Sequence, residues 1–392
     1  MEKACLAIIG LGAIAQRQHL PNLVRAPHVR LKTACDLNEG LVAAMAEKYG
    51  IPHGTTDYRE VLADPEVQAV VVATREDAQA PLAIEALRAG KHVYVEKPLA
   101  LRSEVCEAVV RTEKETGCMV AVGFNRRMAP AYREAKRLVW RKGGPKNVYY
   151  RIASPWSPHY PPGSRMLIEI CHVFDILRWF TESDAETIYC VSSRPDDDIC
   201  TLKFRSGCVA TVLNCGYATI DMPKEHVEIM HEMGGVIVDE FVELRSFGFE
   251  SDVEPVTRFP GHTHPDNEYM HKHLMQAFGL ELVYALRRTH WKLKQAMDAG
   301  EDGARPFDDA EQRRYLRETC PSMNYIVDKG WLWAIDHFAQ CIANGARPET
   351  AGAEDAWKAS LLAHAAVRSR ETGEVVRLSG RAAALPKTTK DL

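Results

Sequence analysis

Apolar residues in the first hundred positions fall into short unbroken runs separated by mixed stretches. Cys5 to Ile9, Leu31 to Cys35, Ala69 to Ala73 and Lys91 to Val95 read as buried strands. Glu39 to Tyr49 and Ala80 to Ala89 read as helices between them, with a further short element at Tyr58 to Leu62. Continuous apolar strands alternating with helices predict a parallel sheet covered on both faces. From about Lys146 the pattern changes to hairpins. Ile199 to Arg205 and Cys208 to Cys215 flank Ser206-Gly207, while His226 to Glu232 and Val236 to Val242 flank Met233, Gly234 and Gly235. This predicts an antiparallel sheet. Both alternating sets of Cys208 to Cys215 are largely apolar, so one face is expected to carry helices and the other a second copy of the chain. Met166 to Phe180 reads as one continuous helix.

The 392 residues, at roughly 150 per domain, allow two to three domains. Hydrophobic residues at 46% and charged residues at 26% are ordinary for a globular chain. A net charge of -4 supplies no field to attract nucleic acid or anionic lipid. Eleven cysteines, an odd number with no CxxC pair, suit buried free thiols in a reducing cytoplasm. The apolar stretch Ala4 to Ala15 imitates a signal peptide but is too short to span a membrane. The complete strand and helix series downstream makes it the first strand and turn of a domain instead.

That turn, Gly10-Leu11-Gly12-Ala13-Ile14-Ala15, reads GxGxxA. Gly10 permits the tight turn, Gly12 lets the backbone approach a pyrophosphate, and Ala15 allows close packing of helix on strand. The helix N-terminus then offers N–H groups to phosphates. The second strand ends in Asp36, at the spacing where a carboxylate accepts the ribose hydroxyls and repels a 2′-phosphate. Leu37 and Asn38 follow it where an NADP site would place arginine, so NAD(H) is the expected cofactor. The bland alternative for Asp36 is a turn or helix-capping residue.

Directly after the last of these strands comes Glu96-Lys97-Pro98-Leu99-Ala100. Together with GLGAIA and His19-Leu20-Pro21, it resembles the Gfo/Idh/MocA oxidoreductases. Further matches are AIEALRAGKHVYVEKP over 83–98, VGFNRRMAP over 122–130, His172-Val173-Phe174-Asp175, and the C-terminal DHFAQCIANGARPETAGAEDAWKASLLAHAAVRSRETGEVV. The resemblance implies an α/β Rossmann domain over 1–124. It implies an α+β domain with an open, mainly antiparallel sheet over 125–392, used for substrate binding and oligomerisation as a homodimer or homotetramer. Cofactor contacts are expected from Gly10, Gly12, Ala13, Ile14, Ala15, Asp36, Thr74, Glu96, Lys97 and Asn125. Two departures stand out: within the strand-end motif ATPxxxH, Arg75 replaces the proline and Gln79 the histidine.

Oxidising a secondary alcohol requires a base of near-neutral pKa for the hydroxyl proton and a cation beside the developing alkoxide. His172 and Lys97 are assigned these roles, and the resemblance implies the same pair. Glu169, His172 and Asp175 recur at every third position, near one face of the expected helix. Where relatives carry DxGxH, this chain has Ile168 at the acidic position and Glu169-Ile170-Cys171-His172 instead. Glu169 either orients His172 and binds a substrate hydroxyl, or pairs structurally with Arg165 or Lys97. Substrate contacts are expected from Glu169, Asp175, Trp156, Tyr160 and Arg165, Trp156 and Tyr160 lying in the Pro-rich loop Ser154 to Gly163. That loop offers aromatics for stacking on a sugar, or simple loop packing. A helical insertion near 269–328 serves as a lid or an oligomer contact. The histidines His262, His264, His271 and His273 lack a zinc signature and are expected to be solvated, with no metal site. Cys171 is expected to be a buried small hydrophobe.

The expected function is an NAD(H)-dependent oxidoreductase acting on a secondary hydroxyl of a sugar, cyclitol or glycoside, in the cytoplasm and without a nucleic-acid or membrane partner. Two alternatives remain: an NAD-assisted redox glycosidase or lyase, and a non-catalytic NAD- or sugar-binding regulator.

Overall fold

The computed structural model describes residues 3–155, 160–261, 268–299 and 327–378. Trp156, His159, His262 and His264 lie outside them, as does much of the insertion. Nothing is described of the His271 side chain.

The apolar runs form a six-stranded sheet of β1 (Ala4–Ile9), β2 (Val29–Cys35), β3 (His53–Thr55), β4 (Ala69–Val72), β5 (His92–Val95) and β6 (Val120–Val122). Its order is β3-β2-β1-β4-β5-β6 and every pair is parallel. This order creates the crevice between β1 and β4 at the carboxyl ends of the strands, where doubly wound sheets bind dinucleotides. Helices α1 (Leu20–Arg25), α2 (Glu39–Tyr49), α3 (Tyr58–Ala63), α4 (Glu76–Arg88) and α5 (Ser103–Thr116) connect them. Asn38 caps α2 through Leu41 N–H at 3.0 Å, and left-handed Gly50 ends it. All six residues of β1 are buried. Leu6 and Ile8 pack with Leu20 and Leu23 on one face, and Ala7 and Ile9 join the cluster of Ala83 and Leu87 on the other. Burial on both faces explains why the strand carries no polar alternation.

The second sheet has nine strands in the order β14-β13-β12-β11-β7-β10-β9-β8-β15. They are β7 (Asn147–Ala153), β8 (Ala185–Arg194), β9 (Asp197–Phe204), β10 (Val209–Cys215), β11 (Glu225–His231), β12 (Gly234–Asp239), β13 (Glu243–Phe247), β14 (Val256–Arg258) and β15 (Val376–Arg377). All neighbours are antiparallel except β7 and β10, so the sheet is mainly antiparallel as expected. Its helices are α6 (Pro130–Arg141), α7 (Arg165–Ile168), α8 (Cys171–Thr181), α9 (Glu268–Phe278), α10 (Leu280–Ala299), α11 (Trp331–Asn344) and α12 (Ala353–Thr372). On β9, Cys200, Leu202 and Phe204 are buried while Ile199, Thr201 and Lys203 are exposed. Tyr189, Val191, Val209 and Met230 share that exposure, leaving apolar side chains on this face uncovered among the described residues.

Three features depart from the sequence reading. The expected helix Met166 to Phe180 is two helices, α7 and α8, interrupted at Glu169 and Ile170. Helix α11, placed by the sequence in the second domain, packs on the first sheet: Ala334, Ile335 and Phe338 join Ile8 and Tyr94, and Asp336 accepts from the His28 ring at 2.9 Å. The insertion contributes α9 and α10, which bury Met275 and Val283 in the core of the second sheet.

Asp175 is also corrected. It lies 1% exposed inside α8, and both its oxygens accept from Arg127, at 2.6 and 2.9 Å. Arg127 reaches on to Asp355 of α12 at 3.1 Å, which Arg178 also holds at 3.0 Å. Asp175 is thus a structural carboxylate with no reach to a ligand. Its face of α8 is polar because it meets a buried guanidinium. The ten described cysteines are all free and nine are buried. Among the described residues no helix is long and apolar enough to cross a membrane.

Replacing one partner of a buried ion pair strands the other. Asp175→Ala should therefore lower the free energy of unfolding by about 3–5 kcal/mol in urea denaturation.

Candidate active site

A cavity of about 1300 Å³ lies between the two sheets and collects most of the expected site residues. Its lining includes Gly10, Gly12, Ala13, Ile14, Asp36, Thr74, Glu96, Lys97, Asn125, Tyr160, Arg165, Glu169 and His172. Ala15 is fully buried beneath the turn, and Asp175 lies apart.

The glycine turn is shaped for a close ligand. Gly10 has φ +96°, and a Cβ there would stand 2.5 Å from the Ala73 carbonyl oxygen. Gly12 has nothing within 4 Å of its Cβ position, so its backbone is open to the cavity. A π-helical turn, Ala15–His19, follows. Asp36 accepts from Leu11 N–H at 2.7 Å and Asn38 N–H at 3.0 Å. The turn-residue role is therefore real, and it fixes the carboxylate against the glycine turn at the cavity wall. Of the two departures in the strand-end motif, Arg75 is exposed and Gln79 is buried, its Nε2 donating to Thr74 O at 3.2 Å.

Lys97 follows β5, and its peptide bond to Pro98 is cis. Its Nζ donates to the Ile168 carbonyl at 3.1 Å. The break between α7 and α8 makes that acceptor available. In a continuous helix His172 N–H would take the Ile168 carbonyl; here it bonds to Glu169 O at 3.1 Å. One backbone irregularity thus positions both Lys97 and His172. The His172 ring is buried, edge-on to Phe124 at 5.4 Å, with no partner for Nδ1. Burial first, then the charges of Arg126 and Lys97, push its pKa well below the usual 6.5. The imidazole is neutral at pH 7. Glu96 accepts from His19 at 2.8 Å and from Lys97 N–H at 3.0 Å, so its carboxylate braces the Lys97 backbone.

Glu169 resolves toward the pairing reading. Lys224 contacts one of its oxygens at 2.7 Å, and Arg165 the other at 2.7 Å. Those charges hold its carboxyl well below the usual carboxylate range despite burial. Arg165 also donates through Nε to Asn214 at 3.1 Å. Tyr160 OH donates to Glu76 at 2.9 Å, tying the Pro-rich loop to the start of α4 across the cavity mouth. Burial pushes the Cys171 thiol up to about 12, as suits an inert hydrophobe.

The sequence reading missed the cations of the far wall. Arg126, Lys224 and Lys329 all line the cavity. Glu225 gathers two of them: Arg126 at 2.7 and 2.8 Å, and Lys329 at 3.0 Å, with Tyr150 OH at 2.7 Å. Gly330 carries the signal that was available. It has φ +84°, and a Cβ there would come within 2.5 Å of the Asn125 carbonyl and Ala129 nitrogen. This close approach seats Lys329, whose carbonyl accepts Asn125 Nδ2 at 2.6 Å.

Residues 5–124 match the family model described as the oxidoreductase family, NAD-binding Rossmann fold. Over those residues the chain is similar to the NAD-binding domain of the Gfo/Idh/MocA oxidoreductases. It is 26% identical over 249 residues to the uncharacterized oxidoreductase YrbE of Bacillus subtilis, covering 59% of this chain and 72% of that protein. It is 29% identical over 202 residues to an inositol 2-dehydrogenase of Salmonella paratyphi B, covering 50% of this chain and 60% of that enzyme. The fold is similar to scyllo-inositol dehydrogenase from Lactobacillus casei with bound NAD(H) and scyllo-inositol. That match has a TM-score of 0.68 at 17% identity and covers 96% and 99% of the two chains. The family-model similarity accounts for the first sheet and the glycine turn as an NAD-binding Rossmann fold.

The negative charge of Asp36 at the cavity wall predicts tighter binding of NAD+ than of NADP+ in fluorescence titration. Asp36→Ala should weaken NAD+ by about tenfold, the worth of one charge-assisted hydrogen bond.

Proposed function

We propose that this protein is an NAD-dependent dehydrogenase that oxidises a secondary hydroxyl of a polyol, sugar or cyclitol, or reduces the corresponding ketone. The observation that carries this reading is the convergence of Lys97, neutral His172 and the glycine turn with Asp36 on one cavity. The cradle suits the cofactor: Gly12 leaves open space, and Asn125 Oδ1 is a buried acceptor with no partner. NAD+ bound there supplies the acceptor for the hydride leaving the carbinol carbon.

The chain's own residues then handle the proton and the charge. A neutral His172 takes the hydroxyl proton on its free ring nitrogen, and no deprotonation precedes that step. The Lys97 ammonium, with one N–H on Ile168 O, directs another at the oxygen as it gains negative charge. In the reverse direction the same ammonium polarises the ketone and protonated His172 returns the proton. Phe124 and the α8 core exclude water from one side of the imidazole.

The sequence similarity to an inositol 2-dehydrogenase supports a hydroxylated ring as substrate. The uncovered apolar face of the second sheet supports a homo-oligomer joined face to face, because Tyr189, Val191, Ile199 and Val209 would leave water on association.

Lys97→Met and His172→Ala should each lower kcat by roughly 10²–10⁴ in NADH formation, with the Kd for NAD+ little changed. Normal turnover in either variant would defeat the assignment. For the wild type, the lowered His172 pKa keeps the base unprotonated as pH falls, so kcat/KM for oxidation should stay level past pH 6.5 and decline only below it. Light scattering of the whole chain at micromolar concentration should give a mass at least twice that of one chain.

A further inference from the structure

The wall facing His172 is rich in cationic hydrogen-bond donors. Five cations line the cavity there: Lys97, Arg126, Arg165, Lys224 and Lys329. Their ion pairs use only two carboxylates, each shared. Glu225 serves Arg126 and Lys329, and Glu169 serves Arg165 and Lys224. Lys97 has no carboxylate within ion-pair distance among the described residues, bonding instead to a backbone carbonyl.

The acids nearby do not restore the balance. Asp196 spends its oxygens on the backbone N–H groups of Gly163 and Arg165, at 2.7 and 3.0 Å. Glu96 is committed to His19 and Lys97 N–H. Counting both still leaves one cation in excess, and every carboxylate has its oxygens occupied. The donors are not exhausted. Each lysine ammonium carries three N–H groups and uses one contact here. Arg165 keeps a buried Nη2 with no partner. The surplus positive potential is felt by the groups it surrounds. Lys329 is lowered to about 8 by burial, then by Lys224 and Arg126 against the pull of Glu225. His172 is lowered by burial first, then by Arg126, Lys97 and Lys224 against the pull of Glu225.

A neutral polyol donates as many hydrogen bonds as it has hydroxyls, so a site built for one offers acceptors as well as donors. A wall with more cations than carboxylates, spare ammonium N–H groups and an unpartnered guanidinium nitrogen fits a group that accepts and carries negative charge. The glycine turn stands on the first sheet, whereas Lys224 immediately precedes β11 of the second and Lys329 is bonded to Glu225 at the start of that strand. This wall is therefore separate from the turn that accounts for the cofactor's phosphates.

We propose that the substrate is an acidic polyol, its carboxylate or phosphate held by Lys224 and Lys329 beside His172. This rests on the dehydrogenase reading and narrows its substrate class.

The test uses the full-length chain with NAD+ and matched pairs: glucuronate and galacturonate against glucose and galactose, with glucose 6-phosphate as the phosphate arm. Binding is followed by calorimetry and oxidation by NADH absorbance. The expected result is at least tenfold tighter binding of an acidic member than of its neutral partner, with NADH formed from it. The preference should shrink between low and high salt. The uronate and phosphate arms separate the two anions. Lys224→Gln should cut the acid-over-neutral preference about tenfold, and Lys224→Arg should retain it. Equal or tighter binding of neutral sugars, or no binding to any member, overturns the proposal even if the variants prove unstable. NADH formed from neutral sugars alone overturns it and leaves the dehydrogenase reading standing. Acid-selective binding without NADH overturns the dehydrogenase reading and leaves the anion site standing.

Discussion

A single buried carboxylate organises the catalytic side of this molecule. Glu225 is 1% exposed at the start of β11, and an isolated ionised carboxylate there would be prohibitively expensive. It remains ionised because Arg126 grips it through two bonds while Lys329 and Tyr150 complete the shell. Those donors come from three distant parts of the chain: the turn after β6, strand β7 and the segment entering α11. Desolvation forces them together, and their convergence brings Asn125 and Lys329 to the cavity wall near His172. Glu240 extends the arrangement, accepting Glu225 N–H at 2.7 Å and holding Arg287 of α10. The insertion is anchored to the same polar centre that lies beside His172.

Much of the fold was legible because the relevant forces are local or periodic. The runs at Cys5 to Ile9 and Ala69 to Ala73 are apolar throughout since they are buried on both faces, and GxGxxA is set by the sterics of one turn. The alternation of β9 shows directly in its burial. What was not legible depends on partners far away in sequence. Asp175 has the spacing of a site residue, but its meaning is set by Arg127, 48 positions earlier. Lys329 finds its carboxylate 104 positions away. The break at Glu169 was hidden because Met166 to Phe180 has unbroken helical composition. Its cause is tertiary: Glu169 is drawn to Lys224 and Arg165 while Lys97 claims the Ile168 carbonyl.

That break has a chemical use that a regular helix could not provide. A helical carbonyl is normally saturated by the amide four residues on. Releasing one at the cavity wall supplies a neutral acceptor for Lys97, so its side chain is held by a backbone dipole and not by a carboxylate. Burial meanwhile favours the neutral form of His172.

The return of α11 to the first sheet constrains how the molecule can move. The two sheets are joined where the chain leaves β6, again at Lys329 to Trp331, and a third time between α11 and α12, where Ala351 O accepts Val122 N–H at 2.8 Å. Two bodies tied by three covalent passages cannot swing apart on one hinge as a clamshell does. The two sheets therefore make one frame around the cavity, and the Tyr160 to Glu76 bond adds a tie between them at its rim.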